Sequence, residues 1–209
     1  MYTLRIDKEK IHEMELVHYD APIYVIDTLS QVRQAVSVLR HQPVVGFDTE
    51  TRPSFKKGVV HKMALIQLAT PDECFLFRVN RIGIPQPLAD YLAAPDCLKV
   101  GLSLRDDFAK LHTVTGVEPQ GFVDLQNLVR DYQISEASLQ KIFAILFNMK
   151  ISKGQQLTNW ESENLTESQQ QYAAIDAWAC GKIYKYLTSG AFNPDESPYK
   201  QEIEYDEKT

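Results

Sequence analysis

Several features that would fix a function class at once are scarce in this chain. It has three cysteines in 209 residues: Cys74, Cys97 and Cys180. They are too few and too scattered for a disulfide framework or a paired-cysteine zinc site. Buried thiols in a reducing compartment are expected. No run approaches about 18 consecutive apolar residues, so no membrane-spanning helix is expected. The opening Met1-Tyr-Thr-Leu-Arg-Ile-Asp-Lys8 lacks the apolar core of a secretory signal. These absences point to a cytoplasmic chain with no membrane partner. Positive charge is short as well. Lys and Arg number 22 against 28 Asp and Glu, for a net charge of -6 and a pI near 5.4. That balance argues against non-specific, salt-driven binding to nucleic acid.

What is present reads as globular: 44% hydrophobic, 10% aromatic and 24% charged residues. There is no internal repeat. The acidic excess is concentrated at one end. Residues 195–209 carry Asp195, Glu196, Glu202, Glu204, Asp206 and Glu207 against Lys200 and Lys208, four of the six net negative charges. Pro194 and Pro198 fall in or beside the same stretch. We read residues 191–209 as an acidic, mobile tail, residues 1–21 as an N-terminal extension, and residues 22–190 as a single domain. The nearly neutral body leaves room for a local basic patch or a metal site.

Hydrophobic patterning orders the domain. Ile23–Ile26 reads as a strand. Asp27, Thr28 and Ser30 offer N-caps for a helix to about Arg40, and Pro43 stops it. Val44–Glu50 is a strand. Met63–Ala69 and Cys74–Val79 read as strands that pair as a hairpin on it, around Pro71-Asp72. Leu88–Leu92 reads as a short helix and Leu98–Leu102 as a strand. Ser103 caps a helix through His112, and Phe122–Asp124 is a short strand. Helices then dominate: Leu125–Tyr132, Ser138–Phe147 and about Glu167 to Leu187, the last opened by a capping box at Thr166 and Gln169. This order implies an α/β fold, a mixed sheet flanked by helices.

Acids fall at telling places in this pattern. Asp48 and Glu50 lie two apart on a strand, so both project to one face while Phe47 and Thr49 project to the other. Paired carboxylates repel unless a cation sits between them. Asp107 borders the apolar stripe of Leu104, Phe108 and Leu111, whereas Asp106 faces solvent near the helix start. Tyr172 and Asp176, four apart, are neighbours on one helical face. Small residues crowd that helix: Ala173, Ala174, Ala177, Ala179 and Gly181. Any one of these features also suits an ordinary solvated acid or an interfacial tyrosine. Four acids at apolar borders on separate elements suit hard divalent cations, which prefer oxygen ligands.

Phe47-Asp-Thr-Glu50, Val100-Gly-Leu-Ser-Leu-Arg-Asp-Asp107-Phe-Ala-Lys-Leu111 and Tyr172-Ala-Ala-Ile-Asp176-Ala177 occur in the order of three exonuclease motifs. With Met63–Leu68, Cys74–Phe77, Ser138-Leu139, Thr158–Trp160 and Leu165-Thr166, the chain resembles the DEDDy superfamily of 3′–5′ exonucleases over roughly residues 22–188. Its flavour is that of ribonuclease D and the Werner syndrome protein's exonuclease domain. The resemblance implies a ribonuclease H-like fold. It implies two divalent ions, Mg²⁺ or Mn²⁺, held by Asp48, Glu50, Asp107 and Asp176, with Tyr172 orienting the attacking water. It also implies release of nucleoside 5′-monophosphates from the 3′ end of DNA or RNA. One departure stands out: the stretch before Asp107 lacks the asparagine common in ribonuclease D enzymes.

Substrate contact needs local cations. Arg52, Lys56, Lys57, His61 and Lys62 cluster in the loop after the first acidic strand, Lys153 precedes the last helix, and Phe55 offers a stacking ring. Met63 is a candidate wedge near the terminal base. Leu65 and Trp160 read as packing residues. His12, His18, His41 and His112 show no ligand spacing. The competing reading is a catalytically silent nucleic-acid-binding module of the same fold, which would have no need of all four acids and the tyrosine. A phosphohydrolase acting on free nucleotides or short oligonucleotides is a third reading.

Overall fold

The structure is a computed structural model that describes residues 1–56 and 58–203. Its centre is the strand Met63–Ala69, in which all seven residues are buried. Both faces of a central strand are covered, which is why this segment reads as an almost unbroken apolar run. In chain order the elements are β1 (Tyr2–Leu4), α1 (Lys8–His12), β2 (Glu15–Leu16), β3 (Ile23–Ile26), α2 (Leu29–Leu39), β4 (Val44–Thr51), β5 (Met63–Ala69), β6 (Cys74–Phe77), α3 (Val79–Ile82) and α4 (Gln86–Leu92). They continue with β7 (Leu98–Gly101), α5 (Arg105–Thr115), β8 (Phe122–Asp124), α6 (Leu125–Leu128), α7 (Leu139–Phe147), β9 (Met149–Lys150), α8 (Glu167–Thr188) and β10 (Lys200–Glu202).

Six strands form one sheet in the order β3-β6-β5-β4-β7-β8. β5 runs antiparallel to both neighbours, and the remaining pairs are parallel. The expected mixed sheet flanked by helices is therefore the observed architecture, in a single domain. One face packs against α7 and α8, with Phe143, Ala173, Ala177 and Ile183 in its core. The other carries Val32, Leu39, Phe47, Leu88 and Leu111, from α2, β4, α4 and α5. Among the described residues, no helix is long and apolar enough to cross a membrane. The three cysteines are buried and free.

Local signals decide several boundaries. Thr28 and Thr166 each close a capping box, with Gln31 and Gln169. Ser138 caps α7 by accepting from the Lys141 amide. Four expectations differ from the structure. Ser103 does not cap α5; its φ is 61°, and its amide and that of Leu104 donate to the Asp124 carboxylate, at 3.0 and 2.9 Å. β6 stops at Phe77, because the buried Arg78 turns the chain into α3 and donates to the carbonyl oxygens of Ser162 and Glu163. The acidic segment read as a mobile tail is laid down through Glu202, where β10 pairs antiparallel with β1 and Tyr2 Oη donates to Asp195 at 2.6 Å. The N-terminal extension is likewise part of the core, with Leu4, Ile6, Ile11, Val17 and Tyr19 buried. Residues 204–209 of the expected tail lie outside the described residues.

Candidate metal and nuclease centre

The centre forms where α8 presses onto β4. Gly46 makes that approach possible. A Cβ built on it would collide with the Ala177 carbonyl oxygen, so only glycine lets the helix backbone rest on the strand here. Asp176 sits next to Ala177 on the helix. Asp48 and Glu50 share the face of Gly46 on the strand, by two-residue alternation. Carboxylate oxygens of Asp48, Glu50 and Asp176 consequently come within 4.8 Å of one another. Asp107 is not in that set. It lies in the first turn of α5 and accepts a hydrogen bond from Thr49 Oγ1, while its charge still acts on Asp48 and Glu50.

These acids are costly to ionise. Burial, then the neighbouring Asp176 and Asp107, push Asp48 well above the ordinary carboxylate range. Burial, then Asp48 and Asp176, push Glu50 to about 10. Burial raises Asp176 to about 7 against the opposing pull of Tyr172 and Lys153. Asp107 is raised by burial, partly offset by Thr49 and Lys110. The Tyr172 phenol is raised by burial and then by Asp176 and Glu50, so it keeps its proton at neutral pH. Its ring packs 5.9 Å, centroid to centroid, from the fully buried Trp160, which has the packing role read from the sequence.

Two neighbours were not singled out by the sequence reading. Gln67 faces Asp48 directly across the β4–β5 register, is fully buried, and its amide has no hydrogen-bond partner among the described residues. Lys110 lies one turn after Asp107 and donates to Thr51 Oγ1 at 3.2 Å. Helical i, i+3 spacing from Asp107 was the available signal for it. The donor set is hard oxygen, crowded and desolvated, and adjoined by an orphaned amide, which suits a hard divalent cation rather than a thiophilic metal.

The substrate-contact candidates spread more widely. Arg52 and His61 both meet Glu161, at 3.2 and 3.7 Å. Arg52, Phe55, Lys56, His61, Leu157 and Asn159 border a cavity of about 490 Å³. Lys153 is exposed and acts on Asp176. Lys62 lines a second groove together with Met63. Met63 itself is 5% exposed and packs with the sheet face opposite the acids, whereas Leu65 is buried on the acid side. Lys57 lies outside the described residues.

Fold and site together define a nuclease-type α/β domain, and comparison with known proteins makes the class specific. The model of the 3′-5′ exonuclease family matches residues 23–190, and the chain belongs to that family, in its DEDDy-type superfamily. It is 35% identical over 150 residues to a 3′-5′ exonuclease of Arabidopsis thaliana, covering 68% of this chain and 52% of that protein. It is 32% identical over 150 residues to the mouse (Mus musculus) bifunctional 3′-5′ exonuclease/ATP-dependent helicase WRN, covering 69% of this chain and 11% of that protein. The chain thus spans about half of the first relative and about a tenth of the second. The Nibbler EXO domain of Aedes aegypti has a similar fold, with a TM-score of 0.70 at 24% identity, over 93% of this chain and 96% of that one.

Proposed function

We propose that this chain is a metal-dependent 3′–5′ exonuclease that releases nucleoside 5′-monophosphates from the 3′ end of DNA or RNA. The observation that carries the reading is the convergence of Asp48, Glu50 and Asp176 within 4.8 Å, beside a buried phenol. Two divalent ions, Mg²⁺ or Mn²⁺, would be held by Asp48, Glu50 and Asp176, with Asp107 reaching the second position. Such ions, when bound, acidify water and offset charge on the departing oxygen.

The remaining work falls to the chain. Tyr172 stays protonated, so it is a hydrogen-bond donor and not a base. In this reading it aims the attacking water at phosphorus, with its own orientation fixed by Asp176 and by the Trp160 ring. The bond from phosphorus to the penultimate 3′ oxygen breaks as the water oxygen bonds, and that 3′ oxygen leaves protonated. Arg52, Lys56, Lys57, His61, Lys62 and Lys153 supply phosphate contacts. Phe55 and Leu157, 83% and 68% exposed, offer apolar surface to unpaired bases. The packed position of Met63 suits a groove wall better than a wedge. A reducing, cytoplasmic setting suits the three buried free thiols.

A silent binding module would gain nothing from crowding three carboxylates that resist ionisation. The test uses matched single-stranded DNA, recessed duplex and RNA, each labelled at the 5′ end, with Mg²⁺, Mn²⁺ or a chelator. Shortening from the 3′ end, lost with chelator and in Asp48→Ala and Asp176→Ala, is expected. Intact 3′ ends on every substrate, or full activity in both variants, would overturn the reading.

A further inference from the structure

Lys110 is placed between two regions. Its ammonium is near enough to Asp48, Glu50 and Asp107 to act on all three carboxyls. Yet it forms no ion pair within 4.0 Å among the described residues. A lysine ammonium has three donors. Thr51 Oγ1 takes one, and no other acceptor among the described residues is bonded to it. The same side chain lines a groove of about 700 Å³ that passes between residues 60–63 and α5. His61 and Lys62 share the wall of that groove. Its one acid, Glu161, is already engaged by Arg52 and His61. A cation that merely balanced the acids would close onto one of them. This one is held short of them by Thr51 and has donors to spare.

We propose that Lys110 is a strand-positioning residue whose ammonium takes a phosphate oxygen of the nucleic acid on the leaving side of the scissile bond, where the strand enters the 700 Å³ groove. The proposal rests on the exonuclease reading above. One phosphate contact carries a defined electrostatic signature. Its loss lowers the slope of log affinity against log salt by about 0.7 for a single strand.

The experiment compares wild type, Lys110→Met and Lys110→Arg in the full chain, on two substrates. One is a single-stranded oligonucleotide. The other is thymidine 5′-(4-nitrophenyl) phosphate, in which nitrophenol stands where the leaving strand would be. Affinity for the oligonucleotide is also read without turnover, by fluorescence anisotropy with Ca²⁺ across a salt series. For Lys110→Met the expected KM for the oligonucleotide rises about tenfold and the salt slope falls by about 0.7. The loss in kcat/KM on the oligonucleotide should exceed that on the ester by about tenfold, and Lys110→Arg should recover most of it. Equal losses on both substrates, or an unchanged salt slope, would overturn the proposal alone. Wild type that hydrolyses neither substrate would overturn the exonuclease reading and this proposal with it.

Discussion

Two buried charges sit on neighbouring strands of the sheet and are treated in opposite ways. Lys99 on β7 is wholly buried. Its ammonium donates to the Tyr91 and Ala94 carbonyl oxygens at 3.1 and 2.8 Å, at the C-terminal end of α4. It also lies 5.1 and 5.0 Å from the ring centroids of Tyr91 and Phe122. Helix-end carbonyls and ring faces both favour a cation. Burial still draws its pKa down to about 8, but its partners are supplied by the protein. The acids of β4 and α8 are buried and crowded together instead: burial raises all three, and neighbouring acids raise Asp48 and Glu50 further. A charge that serves the fold is satisfied within the fold. The acid cluster is left unsatisfied by the protein, and under the proposed function cations would relieve it.

Neutralising each group is the sharpest way to break this contrast. Asp48→Asn and Asp176→Asn should lower exonuclease turnover by about 10³-fold, since under the proposed function each removes a cation ligand. In chelator both should melt higher than wild type at neutral pH, because a buried amide needs no proton taken up on folding. Tyr172→Phe should lower kcat by about 10²-fold with little change in melting temperature, which separates water orientation from cluster charge. Lys99→Met should do the reverse of the aspartate changes. It leaves two helix-end carbonyls without a donor, for a loss of about 1–3 kcal/mol, or about 2–4 °C per kcal/mol in a domain of this size. Activity measured below the melting transition should move less than twofold. A stabilised Lys99→Met, or a destabilised Asp176→Asn in chelator, would refute the contrast.

The same contrast explains what was legible in the sequence. The pairs Asp48/Glu50 and Tyr172/Asp176 are local, and strand or helix periodicity alone assigns them a shared face. The capping box at Thr166 and Gln169 is local too, and it stands as read. What was not legible depends on residues distant in sequence. Asp124 holds the start of α5 from about twenty residues downstream, a role that the local pattern assigns to Ser103. Nothing in the composition of the acidic tail marks Lys200–Glu202 as a partner of Tyr2–Leu4, because a three-residue strand has too little alternation to recognise. Glu161 gathers Arg52 and His61 across about a hundred residues. The meeting of Asp176 with Asp48 rests on Gly46 against Ala177, which the sequence shows only as small residues at either side.

The smallest effect is also the most diagnostic, because the two buried charges tilt stability in opposite directions along the pH axis. Unfolded carboxyls titrate near about 4. The folded Asp176 carboxyl titrates at about 7 and that of Glu50 at about 10. Between those limits the folded chain keeps protons that the unfolded chain has released, so stability falls as pH rises. The fall is steepest from about pH 4 to about 7, where both groups contribute, and continues more gently above. Lys99 has the opposite sign. Its folded pKa of about 8 lies below the ordinary lysine value, so from about pH 8 upward the unfolded chain binds more protons and stability rises with pH. Without divalent cations, the melting temperature should therefore drop by about 5 °C or more from pH 5.5 to pH 7.5. Asp176→Asn should flatten that drop, and Lys99→Met should steepen the profile only above about pH 8. Millimolar Mn²⁺ should flatten the drop in wild type and leave the Lys99 limb unchanged, since under the proposed function cations bind the ionised acids and not the lysine. A melting temperature that is level from pH 5.5 to 7.5 in chelator would mean that the cluster is relieved of its repulsion by the protein itself, and the distinction between the two charges would collapse.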